Sequence, residues 1–214
     1  MGKGKEYNSN CEDGAKITSE VALGEKAVKR ICNAEAKMAP FLKGNVPRIK
    51  VVENDGSELT RDRQTVRLNR DDIETRRGTT ATTHELAHEV WYRLPAQERA
   101  TITTAYNAIR GVGDRKMLRP PENTPWSALA ESSYVGGSFG HPQDEVDETF
   151  ASGTANLLNN SSALAEGIAA LPLTEQGQAE EAVEAVYCGL AAIDSSAPAL
   201  KPATRAFGFS PSQC

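Results

Sequence analysis

Five consecutive residues, His84-Glu85-Leu86-Ala87-His88, combine two imidazoles and a carboxylate at a spacing that suits metal chemistry. On an α-helix, residues i and i+4 lie on one face, so both histidines can bind the same ion. Glu85 would then lie beside the open coordination position, where it can take a proton from a metal-bound water. Zinc lowers the pKa of such a water to about 7, so a hydroxide nucleophile is available at neutral pH. The motif predicts a catalytic zinc site with His84 and His88 as ligands and Glu85 as general base.

The residues around the motif predict the helix that it needs. Residues 80–94 contain neither Gly nor Pro, and Pro95 ends the segment. Val90, Trp91 and Leu94 continue an apolar side, which is typical of a helix packed on a core. The chain has three histidines, and two of them lie in this motif. The alternative interpretation is a helix whose two histidines make ordinary hydrogen bonds.

The motif and its helix resemble the zincin metallopeptidases. The metzincin branch requires a Gly and a third His at positions 91 and 94, where this chain has Trp91 and Leu94. The chain therefore looks more like a gluzincin, in which a Glu from a later helix completes the site. The resemblance implies a zinc-dependent endopeptidase that holds one Zn²⁺ per chain and hydrolyses peptide or protein substrates.

A later helix, predicted over residues 144–158, offers the acidic ligand that the resemblance requires. Within it, the segment Glu148-Thr149-Phe150-Ala151 resembles the Glu-x-Phe-Ala element that carries the ligand in several gluzincin families. Phe150 and Ala151 would pack into the core and direct Glu148 toward the metal.

Three acids on this helix compete for the role of third ligand. We favour Glu148. In a second registration, Glu145 or Asp144 binds the metal, and Glu148 becomes the acid that orients a histidine. Without a metal, the same residues would be a solvated acidic helix end, which the helix dipole favours.

The segment 111–143 is rich in Gly and Pro, which predicts a long irregular loop that could form one wall of a substrate cleft. Tyr134 resembles the tyrosine that several zincins place upstream of the Glu helix, where its hydroxyl stabilises the oxyanion. His141 is the alternative for this electrostatic role and is also a candidate ligand.

The predicted helices and strands that would position these residues indicate an α+β, mainly helical zincin-like domain with a small twisted β-sheet. Strands are predicted at 48–54 and 64–69, joined as a hairpin with a longer loop, and an exposed edge strand could bind substrate by strand addition.

A single catalytic domain would cover residues 1–214, with any break between lobes falling within 111–143. The charge-dense run from Arg61 to Arg77 is interpreted as a solvated face. Further helices are predicted at 15–39, 96–110, 162–170 and 174–193.

Composition limits the partners of the chain. It has 214 residues and a formal net charge of −5, and 39% of its residues are hydrophobic, as in ordinary globular domains. An acidic balance argues against nucleic acid as the main partner, because phosphate binding needs a basic surface. No apolar run approaches the length of a membrane span.

Four cysteines, two near each end, permit the disulfides Cys11–Cys32 and Cys188–Cys214, or they are four thiols. The first residues are polar and contain no secretory signal, as would also be true of a mature chain whose signal had been removed. We favour secretion or delivery into another cell or compartment.

Two other functions compete with a broad endopeptidase. The chain could be a secreted or delivered effector or toxin protease with narrow targets. It could also be a non-catalytic module with a structural zinc. Glu85 argues against the second alternative, because a closed structural site has no use for a general base.

Overall fold

The computed structural model describes residues 6–12, 15–53, 56–75, 78–110, 145–170 and 173–214, with only the backbone described at 109, 110 and 145. The part of the chain so described is α+β and mostly helical, as predicted. Its strands are β1 Tyr7–Asn10, β2 Lys16–Ser19, β3 Arg48–Val52, β4 Glu58–Leu59 and β5 Thr65–Asn69. Its α-helices are α1 Glu25–Leu42, α2 Arg70–Glu74, α3 Gly78–Trp91, α4 Ala96–Arg110, α5 Glu145–Asn159, α6 Ser161–Ala169, α7 Leu173–Ile193 and α8 Lys201–Phe207.

The described strands form one mixed sheet in the order β1-β2-β3-β5-β4. β3 and β5 run parallel, with Ile49 beside Val66 and Val51 beside Leu68. The predicted hairpin between these two strands is therefore wrong. The two-residue strand β4 lies between them in sequence and pairs antiparallel with β5 at the edge of the sheet. The chain therefore runs from β3 to the edge strand β4 and then returns to form β5 between β3 and β4.

The prediction of one helix over 15–39 is also wrong in its first part. Residues 16–19 form β2, which pairs parallel with β3, and α1 begins only at Glu25. Ile17 and Ser19 are buried on one side of β2, which is the alternation of a strand. Four residues are too few to show this period clearly in the sequence. Helix α1 also continues past Pro40 and ends before Lys43, whose φ is 50°.

The helices after α3 agree more closely with the sequence. Apolar residues at helical spacing give α4, α6 and α7 bounds within one or two residues of the predicted ones. Helices α4 and α7 pack closely at Gly189, where an added Cβ would lie 3.1 Å from the Ile102 side chain and 3.3 Å from that of Leu94. Helix α5 packs against α4, α6, α7 and α8.

The chain divides into two compact units, Met1–Glu89 and Val90–Cys214, and the boundary falls inside α3. The first unit contains the sheet with α1 and α2, and the second contains α4 to α8. The predicted lobe break within 111–143 lies outside the described residues and stays a prediction, as does the single catalytic domain.

Both predicted disulfides are confirmed. Cys11, just after β1, is bonded to Cys32 of α1, and Cys188 of α7 is bonded to the terminal residue Cys214. Each bond lies within one of the two units. Among the described helices, none has the length and apolar character needed to span a membrane.

Candidate metal site

Helix α3 begins where glycine allows it to approach α2. A Cβ on Gly78 would lie 2.5 Å from the carbonyl oxygen of Ile73, a distance that no side chain tolerates. The Arg30 guanidinium reaches the same place from α1 and donates to the carbonyl oxygens of Ile73, at 3.2 Å, and of Glu74, at 2.8 Å. These contacts fix the first turn of α3 against α1 and α2.

Every residue of α3 from 80 to 90 is buried. A helix buried on all sides must satisfy its polar side chains internally. Two threonines do so along the helix itself, since the hydroxyl of Thr82 donates to the carbonyl oxygen of Gly78 and that of Thr83 donates to that of Thr79, both at 2.8 Å. The motif predicted from the sequence therefore lies on a helix inside the protein.

The two histidines of the motif face each other through the same ring atom. Nε2 of His84 and Nε2 of His88 are 3.3 Å apart, and the ring planes are inclined at 81°. His84 is 3% exposed and His88 is 9% exposed. Zinc–nitrogen bonds of about 2.0–2.1 Å at a tetrahedral angle place two ligand nitrogens about 3.3 Å apart. The separation also suits an N–H···N hydrogen bond between two neutral imidazoles. The same arrangement of the two rings therefore fits a metal-bound pair and a metal-free, hydrogen-bonded pair.

The third member of the group comes from α5. His84, His88 and Glu148 each offer one ligand atom, and these atoms all lie within 4.8 Å of one another. Glu148 is half-buried, whereas the histidines are buried. Two imidazoles and one carboxylate are the donor set of many catalytic zinc sites. The group could therefore hold a metal ion, and the identity of that metal is a separate question.

The residues that follow Glu148 hold its helix in the core, as the sequence predicts. Phe150 and Ala151 are fully buried. The ring of Phe150 lies 5.5 Å from that of Trp91, which is three residues beyond His88 on α3. The two helices that carry the ligand group thus meet through an aromatic pair next to it.

The structure describes some of the other candidates and not all of them. Glu85, the predicted general base, is 5% exposed. Asp144, Tyr134 and His141 lie outside the described residues, and so does the side chain of Glu145. The preference for Glu148 over its two acidic neighbours therefore stays a prediction, although Glu148 is the acid found in the described group.

One ion pair beside the group was missed by the sequence analysis. Glu89, the residue after His88, has a side chain only 3% exposed, and it accepts two hydrogen bonds from Arg63. The Arg63 Nε donates to Oε2 at 2.7 Å, and its Nη2 donates to Oε1 at 2.8 Å. Arg63 belongs to the run from Arg61 to Arg77 that was interpreted as a solvated face, and its own side chain is 40% exposed although its partner is buried. A separation of 26 residues and the absence of a motif left no sequence signal for this pair.

Comparison with known proteins adds no relative. No protein-family model, no curated protein and no solved structure matches the chain at a significant level. The assignment of function therefore depends on the motif and on the geometry of its side chains.

Proposed function

We propose that the chain is a zinc-dependent metalloendopeptidase that hydrolyses peptide bonds in peptide or protein substrates. The observation that carries the proposal is the 3.3 Å separation of the two Nε2 atoms on a buried helix, with the Glu148 carboxylate beside them. Among the described residues the group supplies three protein ligands, and a site with three protein ligands and one open position is typical of catalytic zinc and not of structural zinc.

When bound, zinc would supply Lewis-acid polarisation of the substrate carbonyl and a lowered pKa for an attacking water. His84, His88 and Glu148 would hold the ion. Glu85 follows His84 directly on α3 and is buried, so its carboxylate acts in surroundings where electrostatic interactions are strong. Glu85 would accept the proton of the attacking water and donate it to the nitrogen of the leaving amine.

Oxyanion stabilisation is assigned to Tyr134, with His141 as the alternative. Both residues lie outside the described part of the chain, so this assignment depends on the sequence alone. The short antiparallel edge strand β4 is the candidate for binding an extended substrate by strand addition.

The test of the proposal is proteolysis by the zinc-loaded protein with Glu85→Gln as the matched variant. The amide keeps the size of the side chain and cannot take the proton, so the cleavage rate should fall by about 10²–10⁴-fold. Zinc content should stay at the wild-type level, because Glu85 is not a ligand. A Glu85→Gln protein that cleaves as fast as wild type would contradict the proposed mechanism.

A selective secreted or delivered protease is the second candidate, and the two disulfides support the secretion or delivery that it requires. Disulfides persist in oxidising compartments and are rare in the cytosol. Casein distinguishes the two candidates: broad cleavage supports a general endopeptidase, and a zinc-loaded protein inert on casein supports a protease with narrow targets. A non-catalytic zinc module would show bound zinc with no cleavage of any peptide in a diverse library.

A further inference from the structure

The loop between β4 and β5 is built to hold one residue in an unfavourable conformation. Arg63 has φ 58°, in the left-handed region that side chains other than Gly, Asn and Asp rarely adopt. Its backbone N–H donates to the carbonyl oxygen of Thr60 at 2.7 Å. Such a conformation persists only where the surrounding structure enforces it, and it is often found at functional positions.

A hydrogen-bond network enforces this conformation. The Thr60 hydroxyl donates to the Asp62 carboxylate at 2.7 Å, and the backbone N–H of Gln64 donates to the same carboxylate oxygen at 3.1 Å. The Thr65 amide donates to the Thr60 hydroxyl at 3.1 Å. Bonds to Thr60 and Gln64 lower the pKa of Asp62, so the carboxylate is ionised at neutral pH. The loop is thus closed by its own side chains.

The side chain of Arg63, in this loop, makes a two-point contact with Glu89, the last residue of α3 in the first unit. Arg63 binds Glu89 through two parallel hydrogen bonds, which fix orientation as well as distance. Glu89 follows His88 directly, so a rotation of α3 that moves Glu89 also moves the imidazole. At the other end of the helix, Gly78 is packed against Ile73.

We propose that Arg63 is a positioning residue that, through Glu89, fixes the rotation of α3 and so fixes the direction in which His84 and His88 present their Nε2 atoms to the metal. This inference rests on the proposed metal site. Helix α3 is held in its first turn by Gly78 and in its last turn by the ion pair, and both histidines lie between these two points. Arg67 of β5 pairs instead with Glu58 of β4, so that ion pair joins two neighbouring strands of the sheet.

The discriminating variant replaces both partners, Arg63→Met together with Glu89→Met. Only the Glu89 side chain of this pair is buried, at 3% exposed, so removing Arg63 alone would leave a buried charge. Replacing both partners by apolar side chains of similar volume avoids that charge. Methionine is flexible and does not reproduce the two-point contact. The double variant should therefore fold with a thermal midpoint close to that of wild type while the rotation of α3 is less well fixed. Arg67→Met is the matched control, because it removes an Arg–Glu pair from the same sheet.

The measurement is Co²⁺ binding followed by its visible absorption bands, beside thermal unfolding of the metal-free proteins. We expect the double variant to bind Co²⁺ at least about 10-fold more weakly, as loss of an orienting partner does elsewhere, and with altered bands. Arg67→Met should match wild type in both.

Wild-type affinity and wild-type bands in the double variant would overturn the positioning role while leaving the metal site intact. A wild-type protein that binds neither Co²⁺ nor Zn²⁺ would overturn the proposed function and this inference with it. If the double variant unfolds early, the charge-reversed pair Arg63→Glu with Glu89→Arg decides the matter. Recovery of affinity in that variant, relative to Arg63→Glu alone, supports the inference, and no recovery contradicts it.

Discussion

The chemistry proposed for this chain is concentrated in a few side chains with defined positions. His84 and His88 present the same ring nitrogen toward each other at 3.3 Å, and Glu148 completes the group. Residues 80 to 90 of α3 are all buried, so both imidazoles are largely shielded from bulk water. The site is therefore part of the protein core, with Glu148 as its more exposed member.

The role of Glu148 can be tested against its own neighbour in sequence. Glu148→Gln replaces a charged ligand by a neutral amide of the same size, so zinc affinity should fall by more than the about 10–100-fold that loss of a mere supporting partner costs. Asp147→Asn is the control, because it removes a carboxylate one position away on the same helix and should leave the affinity near wild type. Zinc competition with a chromophoric chelator measures both. Equal affinities in Glu148→Gln and wild type would rule out Glu148 as a ligand and leave Glu145, Asp144 and His141 as the candidates.

The sequence predicted those site residues that lie close together in the chain. His84 and His88 form a pattern within one helical turn, and their grouping with Glu148 followed from a resemblance that supplied the missing long-range information. Arg63 and Glu89 had no such pattern. An ion pair with one buried partner, such as Glu89, looks in the sequence like any two surface charges, because burial is a property of the folded chain.

At the scale of elements, α3 depends on the contacts of its first turn. Gly78→Ala would place a methyl group 2.5 Å from the Ile73 carbonyl oxygen and 2.8 Å from the Ile73 Cα, both backbone atoms. The helix must shift, and we expect a loss of about 1–3 kcal/mol in the free energy of unfolding, as for overpacked cores. Zinc affinity should fall as well, because the histidines move with the helix.

Gly177→Ala is the matched control for this change. An added Cβ at Gly177 of α7 meets nothing within 4 Å. Alanine in the interior of a helix should therefore stabilise the protein by about 0.5–1 kcal/mol relative to glycine. Urea unfolding of both variants gives the comparison. Gly78→Ala with wild-type stability and wild-type zinc affinity would show that α3 is not held by this contact.

Elements were predictable from the sequence in proportion to their length. The helices α4 and α7 have 15 and 21 residues, and repeated apolar positions defined both. The strands β2 and β4 have four and two residues, which is too short for a period to emerge. The parallel pairing of β3 with β5 was missed for another reason. In the sequence, two strands joined by a loop are compatible with an antiparallel hairpin. Only the hydrogen-bond partners show that β5 pairs parallel with β3 and antiparallel with β4.

At the scale of the whole molecule, the two disulfides each close a loop within one compact unit. Cys214→Ser would open the 26-residue separation between Cys188 and the chain end, which should cost about 3 kcal/mol of unfolding free energy in the chain-entropy model. The thermal midpoint should fall, and it should no longer respond to reductant at this bond. Zinc content of the folded protein should be unchanged, because neither cysteine belongs to the ligand group.

Ser212→Ala is a suitable control, because Ser212 lies two residues before Cys214 and takes no part in the disulfide. Its side chain is exposed, and the variant should unfold within about 0.5 kcal/mol of wild type, as surface substitutions generally do. If Cys214→Ser and Ser212→Ala unfold at the same temperature, the terminal disulfide contributes nothing to the stability of the protein.

The metal content of the purified protein shows whether this chain binds one zinc ion through the motif on α3. Elemental mass spectrometry after supply of zinc and removal of the excess should give about one zinc per chain for wild type. His84→Ala and His88→Ala should each lose the metal while remaining folded by circular dichroism. A wild-type protein without zinc under these conditions, or histidine variants that retain it, would contradict the proposed zinc site.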